Sequence, residues 1–186
     1  MAQFEHITRH RIRPVDREIV NIKLLVVGDS GVGKTALTTA FCNEASGLPT
    51  NLEPTIGADF YVRGCMHHGR ELRVNIWDLS GDHQFAEVRN EFYKDAQGAV
   101  LCFDTTACKS FQNLESWFEE MQRCNAGGGS LKCAVVGTKA ESGPRMVPEQ
   151  AARDWARAKC ATYFDVSTAV GKNIESAFRD LASRLP

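Results

Sequence analysis

The chain has 186 residues, 43% hydrophobic and 24% charged, with a formal net charge of −1. This is the length and composition of one globular domain with a sizeable core, and the near-neutral charge balance gives no reason to expect nucleic acid as a partner. No apolar run is long enough to span a bilayer, the first residues lack the apolar centre of a signal peptide, and 7 cysteines without a C-x-x-C pair read as reduced thiols of a cytoplasmic protein rather than a disulfide framework or metal site.

Residues 1–19 carry Arg9, Arg11, Arg13 and Arg17 with His6 and His10 and have no clear periodicity. They read as a solvated N-terminal arm ahead of a single domain over 20–186. An apolar strand over about 21–27 runs into Gly28-Asp29-Ser30-Gly31-Val32-Gly33-Lys34-Thr35, and a helix over about 34–44 follows. Residues 45–54 form a loop by composition. Strands are predicted at 58–66 and 71–77 around a turn at His68-Gly69-Arg70, as an antiparallel hairpin on the sheet edge. Asp78-Leu79-Ser80-Gly81-Asp82 leaves the second of them, and a polar helical stretch covers about 84–94. A strand at 98–103 ends at Asp104, and a helix over 109–123 has Phe111, Leu114, Trp117, Phe118 and Met121 on one face. After the loop Gly127-Gly128-Gly129-Ser130, a buried strand at 131–136 leads into Gly137-Thr138-Lys139-Ala140-Glu141. A helix from Pro148 and Glu149 to about Cys160, a short strand at 163–166 and a last helix at 173–185 complete the chain. Strands alternating with helices, several of the strands apolar throughout, predict an α/β domain with a mostly parallel sheet covered on both faces.

The stretch from Gly28 to Thr35 fits G-x-x-x-x-G-K-[ST] between a strand and a helix, the setting of a phosphate loop. Its backbone N–H groups, from Ser30, Gly31, Val32 and Gly33 on to Ala36, can form a nest for a polyphosphate, reinforced by the helix N-terminus. Lys34 would reach the β- and γ-phosphates and the Thr35 hydroxyl would hold Mg²⁺. Asp78 ends an apolar strand where a second, water-mediated Mg²⁺ anchor is expected, and Gly81 can bring a bare N–H to a γ-phosphate. Ligands of such sheets bind at the carboxyl ends of the strands, where all these stretches fall.

From about Asn21 to Leu185 the order of motifs resembles the Ras superfamily of small GTPases. The phosphate loop, Ile56-Gly57-Ala58-Asp59-Phe60 and the run Ser110 to Trp117 resemble the Rab branch. Asn75-Ile76-Trp77-Asp78 and the run from Phe85 to Gly98 resemble the RJL group, Rab-like GTPases that in some animals carry a J domain; no His-Pro-Asp signature occurs in this sequence. The resemblance implies a small G domain, a P-loop fold with a six-stranded, mostly parallel sheet, one antiparallel edge strand and about five helices. It implies GTP/GDP and Mg²⁺ as ligands and vesicle trafficking or signalling as the setting. It also implies that Thr55 joins Thr35 on Mg²⁺ in the triphosphate state, and that Thr138, Lys139, Glu141, Ser167, Thr168 and Ala169 hold the base.

Four departures qualify it. The Asp-x-x-Gly-Gln glutamine that orients the attacking water is Asp82, which predicts slow or assisted hydrolysis; His83 follows as a weaker substitute. Asn-Lys-x-Asp is Thr138-Lys139-Ala140-Glu141, and Ser-Ala-Lys is Ser167-Thr168-Ala169, which weakens the hold on guanine. The segment before Thr55 is longer than usual and has no aromatic after Phe41, leaving Leu48 or Leu52 over the base. The chain is expected to act as a monomeric switch binding effectors and regulators through its switch loops, without a covalent lipid anchor, cytoplasmic and at most peripheral on membranes or nuclear through partners. Two alternatives stand beside it: a non-hydrolysing nucleotide-bound scaffold, and an ATP-dependent phosphotransferase, against which Lys139, Glu141 and the Rab-like segments speak.

Overall fold

The computed structural model describes residues 19–43, 52–67, 70–125 and 131–185. Six strands form one sheet: β1 (Ile19–Val27), β2 (Ala58–His67), β3 (Arg70–Leu79), β4 (Gly98–Asp104), β5 (Lys132–Thr138) and β6 (Thr162–Asp165), in the spatial order β2-β3-β1-β4-β5-β6. Only the β2–β3 pair is antiparallel; β1 pairs with β3 and β4, and β5 with β4 and β6, all in parallel. The fold class and the antiparallel edge agree with the sequence reading.

The strands that read as continuous apolar runs are the central ones, because both of their faces are covered. All residues of β4 are buried. Along β1 the side chains alternate between two cores. Ile22, Leu24 and Val26 pack with α1 (Lys34–Cys42) and the C-terminal helix, through Leu37, Phe41, Phe178 and Leu181. Leu25 and Val27 pack on the opposite face with Leu114, Trp117, Met121, Ala152 and Ala156. Each such side chain, once fully buried, contributes about 1.5–3 kcal/mol.

Two helices differ in detail from expectation. The polar stretch after Gly81 is a 3₁₀ turn, His83–Phe85, and then α2, Ala86–Tyr93. The Asp82 carboxylate accepts from the Gln84 N–H and so caps the tighter turn. The helix expected over 109–123 is two pieces, α3 (Cys108–Gln112) and α4 (Leu114–Cys124), meeting at Asn113. The remaining helices are α5 (Glu149–Ala158) and α6 (Ile174–Ser183). β1 begins at Ile19, the last residue of the stretch read as an arm. The rest of that arm, Leu48 and residues 127–130 lie outside the described residues, of which no helix is long and apolar enough to cross a membrane.

Candidate functional site

β1, β3, β5 and β6 end on the same side of the sheet, and their following loops carry the motifs. Gly33, the residue before α1, has φ 96°, a left-handed conformation that glycine adopts without strain, and it lets α1 start directly at Lys34. Lys34 is 6% exposed, and its Nζ donates to the Gly28 and Asp29 carbonyls at 2.8 Å each. Burial lowers its pKa, and the nearby Asp78 carboxylate opposes that shift. A cavity of about 270 Å³ opens over this loop, lined by Ser30, Gly31, Gly33, Lys34, Thr35 and Ala36 on one side and by Leu52, Thr55, Ser80 and Gly81 on the other. An apolar cavity of about 350 Å³ between the β2–β3 end and α6 contains none of the motifs.

Three oxygen-bearing side chains from three elements meet at the edge of the smaller cavity. The Thr35 hydroxyl donates to Asp78 Oδ2 at 2.6 Å; the Thr55 hydroxyl lies 3.0 Å from that of Thr35 and 3.4 Å from the same carboxylate oxygen. Asp78 is 0% exposed, and its Oδ1 is buried without a hydrogen-bond partner. Burial pushes its carboxyl up to about 6, against the downward pull of the Thr35 hydrogen bond and the Lys34 charge. A buried carboxylate oxygen without a donor is costly unless a cation or proton satisfies it. Two hydroxyls and a carboxylate are the hard oxygen ligands that suit Mg²⁺.

The loop after β3 sits on the phosphate loop. A Cβ on Gly81 would lie 2.3 Å from the Ser30 nitrogen and 2.4 Å from the Asp29 carbonyl carbon, so only glycine permits this contact. Asp82 is turned along its own chain: Oδ1 accepts from the Gln84 N–H and Oδ2 from the Gln84 side-chain amide, both at 3.0 Å. His83 is exposed beside it.

At the other end of the cradle, the Thr138 hydroxyl lies 2.5 Å from the Val32 carbonyl and 2.9 Å from that of Phe103, and its single hydrogen, shared between them, holds the end of β5 against the phosphate loop and β4. Lys139, at φ 55°, lays its side chain across the site; its Nζ donates to Asp104 Oδ2 at 2.7 Å and to the Gly31 carbonyl at 2.9 Å. Glu141 is exposed. Ser167 is buried and accepts from the Val170 N–H at 3.3 Å, which shapes the turn that presents Thr168 and Ala169.

A family model described as "Ras: Ras family" matches residues 23–186. The chain belongs to the Ras family. Among its relatives, the Ras-related protein Rab-7a of Dictyostelium discoideum is 34% identical over 167 residues, 88% of this chain and 81% of the relative. The Ras-related protein RABG3f of Arabidopsis thaliana is 34% identical, covering 87% of this chain and 80% of the relative. DnaJ homolog subfamily C member 27 of Bos taurus is 35% identical over 86% of this chain, which spans 59% of that protein. The chain is therefore a Rab-like member with likeness to the J-domain-associated group. Ras-family proteins are GTP-binding switches, and their members bind GTP or GDP with Mg²⁺.

In this Ras-family chain Ser30, Gly31, Gly33, Lys34, Thr35, Ala36, Thr55 and Gly81 line one cavity, Thr35, Thr55 and Asp78 are in mutual contact, and Thr138 and Lys139 bond the Val32 and Gly31 carbonyls of the same loop. The sequence reading missed the groups behind it. Asp29 is held by the Asn113 side-chain amide at 2.7 Å and the Trp117 indole N–H at 2.8 Å. Arg89, only 1% exposed, donates to the Ser80 and Asp82 carbonyls. Trp117 was legible as an apolar-face residue of its helix, but no periodicity marks a charged residue of a polar stretch as buried.

Proposed function

We propose that this protein is a guanine-nucleotide switch that holds Mg²⁺ through Thr35, Thr55 and Asp78 and hydrolyses GTP slowly. The meeting of those three side chains around an unpartnered, buried carboxylate oxygen carries the reading. Bound there, Mg²⁺ would offset the charge of the β- and γ-phosphates. Lys34 adds a fixed, desolvated positive charge beside them, and the backbone of Ser30, Gly31, Val32 and Gly33 with the start of α1 supplies N–H donors. Gly81 offers its N–H from a loop pressed on the phosphate loop. Thr55 is half-buried and is followed by Ile56 at 80% exposure, so a contact made through its hydroxyl can be released without unpacking a core.

The base end supports guanine in kind and a loose hold. The Thr138 hydroxyl and Lys139 amine are engaged by the protein, which leaves Glu141 to accept from the base and the backbone of Thr168 to donate to it. Partner binding is supported by the exposed side chains of Ile56, Phe60, Val62 and Val88 beside the switch loops. The Phe60 and Trp77 rings lie 4.7 Å apart and the Trp77 and Phe92 rings 4.8 Å apart, both pairs tilted, so Phe60 in that patch packs on a partly buried aromatic row. Effector or regulator proteins are the occupants this reading assigns to it.

Nucleotide content of the purified protein, followed by single-turnover assays with GTP and ATP, tests the reading. Bound guanine nucleotide with slow GTP turnover is expected, and selectivity for ATP would overturn it. The position of Asp82 favours a second reading, a nucleotide-bound scaffold without turnover. Its carboxylate caps the 3₁₀ turn and carries no amide donor for a water. Asp82→Gln is expected to raise single-turnover GTP hydrolysis at least about tenfold, equivalent to ~1.4 kcal/mol of barrier. An unchanged rate would show that Asp82 is not what limits hydrolysis.

A further inference from the structure

A buried guanidinium lies beneath the loop that carries Gly81. Arg89, in α2, extends its Nη1 to the carbonyls on either side of that glycine, Ser80 at 3.2 Å and Asp82 at 2.8 Å. Its Nε and Nη2 form a two-pronged pair with Glu120 of α4, at 2.8 and 3.1 Å. The Tyr93 hydroxyl adds a third donor to Glu120 at 2.7 Å, and the guanidinium carbon lies 4.5 Å from the centre of the Trp117 ring. Trp117 and Asn113, at the start of the same helix, hold Asp29 of the phosphate loop. One helix thus grips both loops that Gly81 brings together, the β3 loop through Arg89 and the phosphate loop through Asp29.

We propose that Arg89 is a positioning residue for the triphosphate: braced by Glu120, it holds the Gly81 backbone against the phosphate loop whichever nucleotide is bound. The proposal rests on the guanine-nucleotide reading above. Two-pronged, charge-assisted pairs are the strong and geometrically specific kind, and this one is shielded from water. Arg89 is a second donor to the Asp82 carbonyl, which also accepts from the Phe85 N–H at 3.2 Å, and it serves the Ser80 carbonyl of a buried residue, where a lost donor is costly. The cost of ordering the loop is therefore met by the fold and not by the γ-phosphate, so the Gly81 N–H is preorganised for it. The Thr55 loop has no buried ion pair beneath it among the described residues: the Thr55 hydroxyl meets Thr35 and Asp78 at the proposed metal position, and the Gly57 carbonyl accepts from the Ser80 N–H at 2.9 Å. The device that senses loss of the γ-phosphate is then the Thr55 loop alone. Most of the β3 loop stays in place.

Arg89→Met tests this, because methionine keeps length and apolar contact with Trp117 and removes every donor. Arg89→Lys is the conservative companion, able to pair with Glu120 but not to span both carbonyls. Hydrogen exchange at residues 80–85 is measured with GDP and with a non-hydrolysable GTP analogue, alongside affinities for both nucleotides. In the unaltered protein, exchange is expected to differ by less than about threefold between the two states. Arg89→Met is expected to lose about tenfold more affinity for the triphosphate analogue than for GDP, equivalent to ~1.4 kcal/mol, with Arg89→Lys in between, and to make exchange at 80–85 depend on the nucleotide. A merely structural role lowers both affinities together or neither, and either result overturns the proposal. So does unaltered protein whose residues 80–85 exchange more than about tenfold faster with GDP. If the unaltered protein binds neither nucleotide, the guanine-nucleotide reading fails by itself. The brace is then judged on nucleotide-free protein, where equal exchange at 80–85 in Arg89→Met and the unaltered chain overturns it.

Discussion

Lys34→Ala is expected to lower guanine-nucleotide affinity by at least about a thousandfold, a loss of ~4 kcal/mol. The lysine is 6% exposed and already held by the Gly28 and Asp29 carbonyls, so its charge is fixed over the cradle before any ligand arrives. Removing it takes away a desolvated positive charge and leaves two carbonyls short of a donor, and nothing in alanine replaces either. The variant should still fold, because the strand and helix that flank the loop are held by Leu24, Leu25, Leu37 and Phe41 in the two cores. Titration with a fluorescent GDP analogue, with thermal unfolding as a control for folding, reads both. Retained tight binding in folded Lys34→Ala would contradict the cradle as drawn.

Asp78→Asn is expected to have opposite effects on the two properties that meet at this residue. The nucleotide-free fold should become more stable at neutral pH, and the dependence of nucleotide binding on Mg²⁺ should be lost. Burial raises the Asp78 carboxyl from 3.8 to about 6. A carboxyl whose pKa is raised by folding holds its proton more tightly in the folded chain than in the unfolded one. Its contribution is therefore fully present below about pH 4 and is lost as pH rises through about 6. Above that, the folded chain carries a buried charge with one oxygen unpartnered, at a cost of at most a few kcal/mol. Asparagine is neutral and of the same shape, so the gap between the two proteins should open between pH 4 and 6 and stay constant above it. Thermal unfolding of metal-free, nucleotide-free protein at pH 5, 6 and 8 reads this as several degrees in Tm at pH 8. A variant less stable than the original at every pH would show that Asp78 is satisfied without a cation, and would count against the metal site.

The proposed nucleotide cradle was largely legible as a motif in the amino-acid order because the rules for such a loop are local. A glycine before a helix and a lysine and a hydroxyl at fixed offsets lie within a few residues of one another, and an aspartate closing an apolar strand is marked by its own neighbours. The parallel sheet was legible for a similar reason: the stretches read as strands at about 21–27, 98–103 and 131–136 are mostly apolar, and helical periods separate them. The base-reading segment was legible in position but not in use. The Thr138 hydroxyl serves the Val32 carbonyl, 106 residues away in the chain. That pairing follows from β5 lying beside β4, a matter of sheet order.

By itself the sequence determined which residues are proposed to hold a phosphate and its cation, which strands are central, and which family positions are altered, because periodicity, turn chemistry and short-range spacing are written in neighbouring residues. Only the tertiary structure decided that the Asp82 carboxylate caps a turn, that Asp78 keeps a buried oxygen without a donor, and that Arg89 is buried against Glu120. The physical reason lies in the range of the interactions. Arg89 and Glu120 are 31 residues apart and meet only once α2 and α4 have packed together; Asp29 and Trp117 are 88 apart and meet only once α4 lies beside the loop after β1. Burial then changes what a charged side chain does, from a solvated group on a polar helix to a fixed donor under a functional loop.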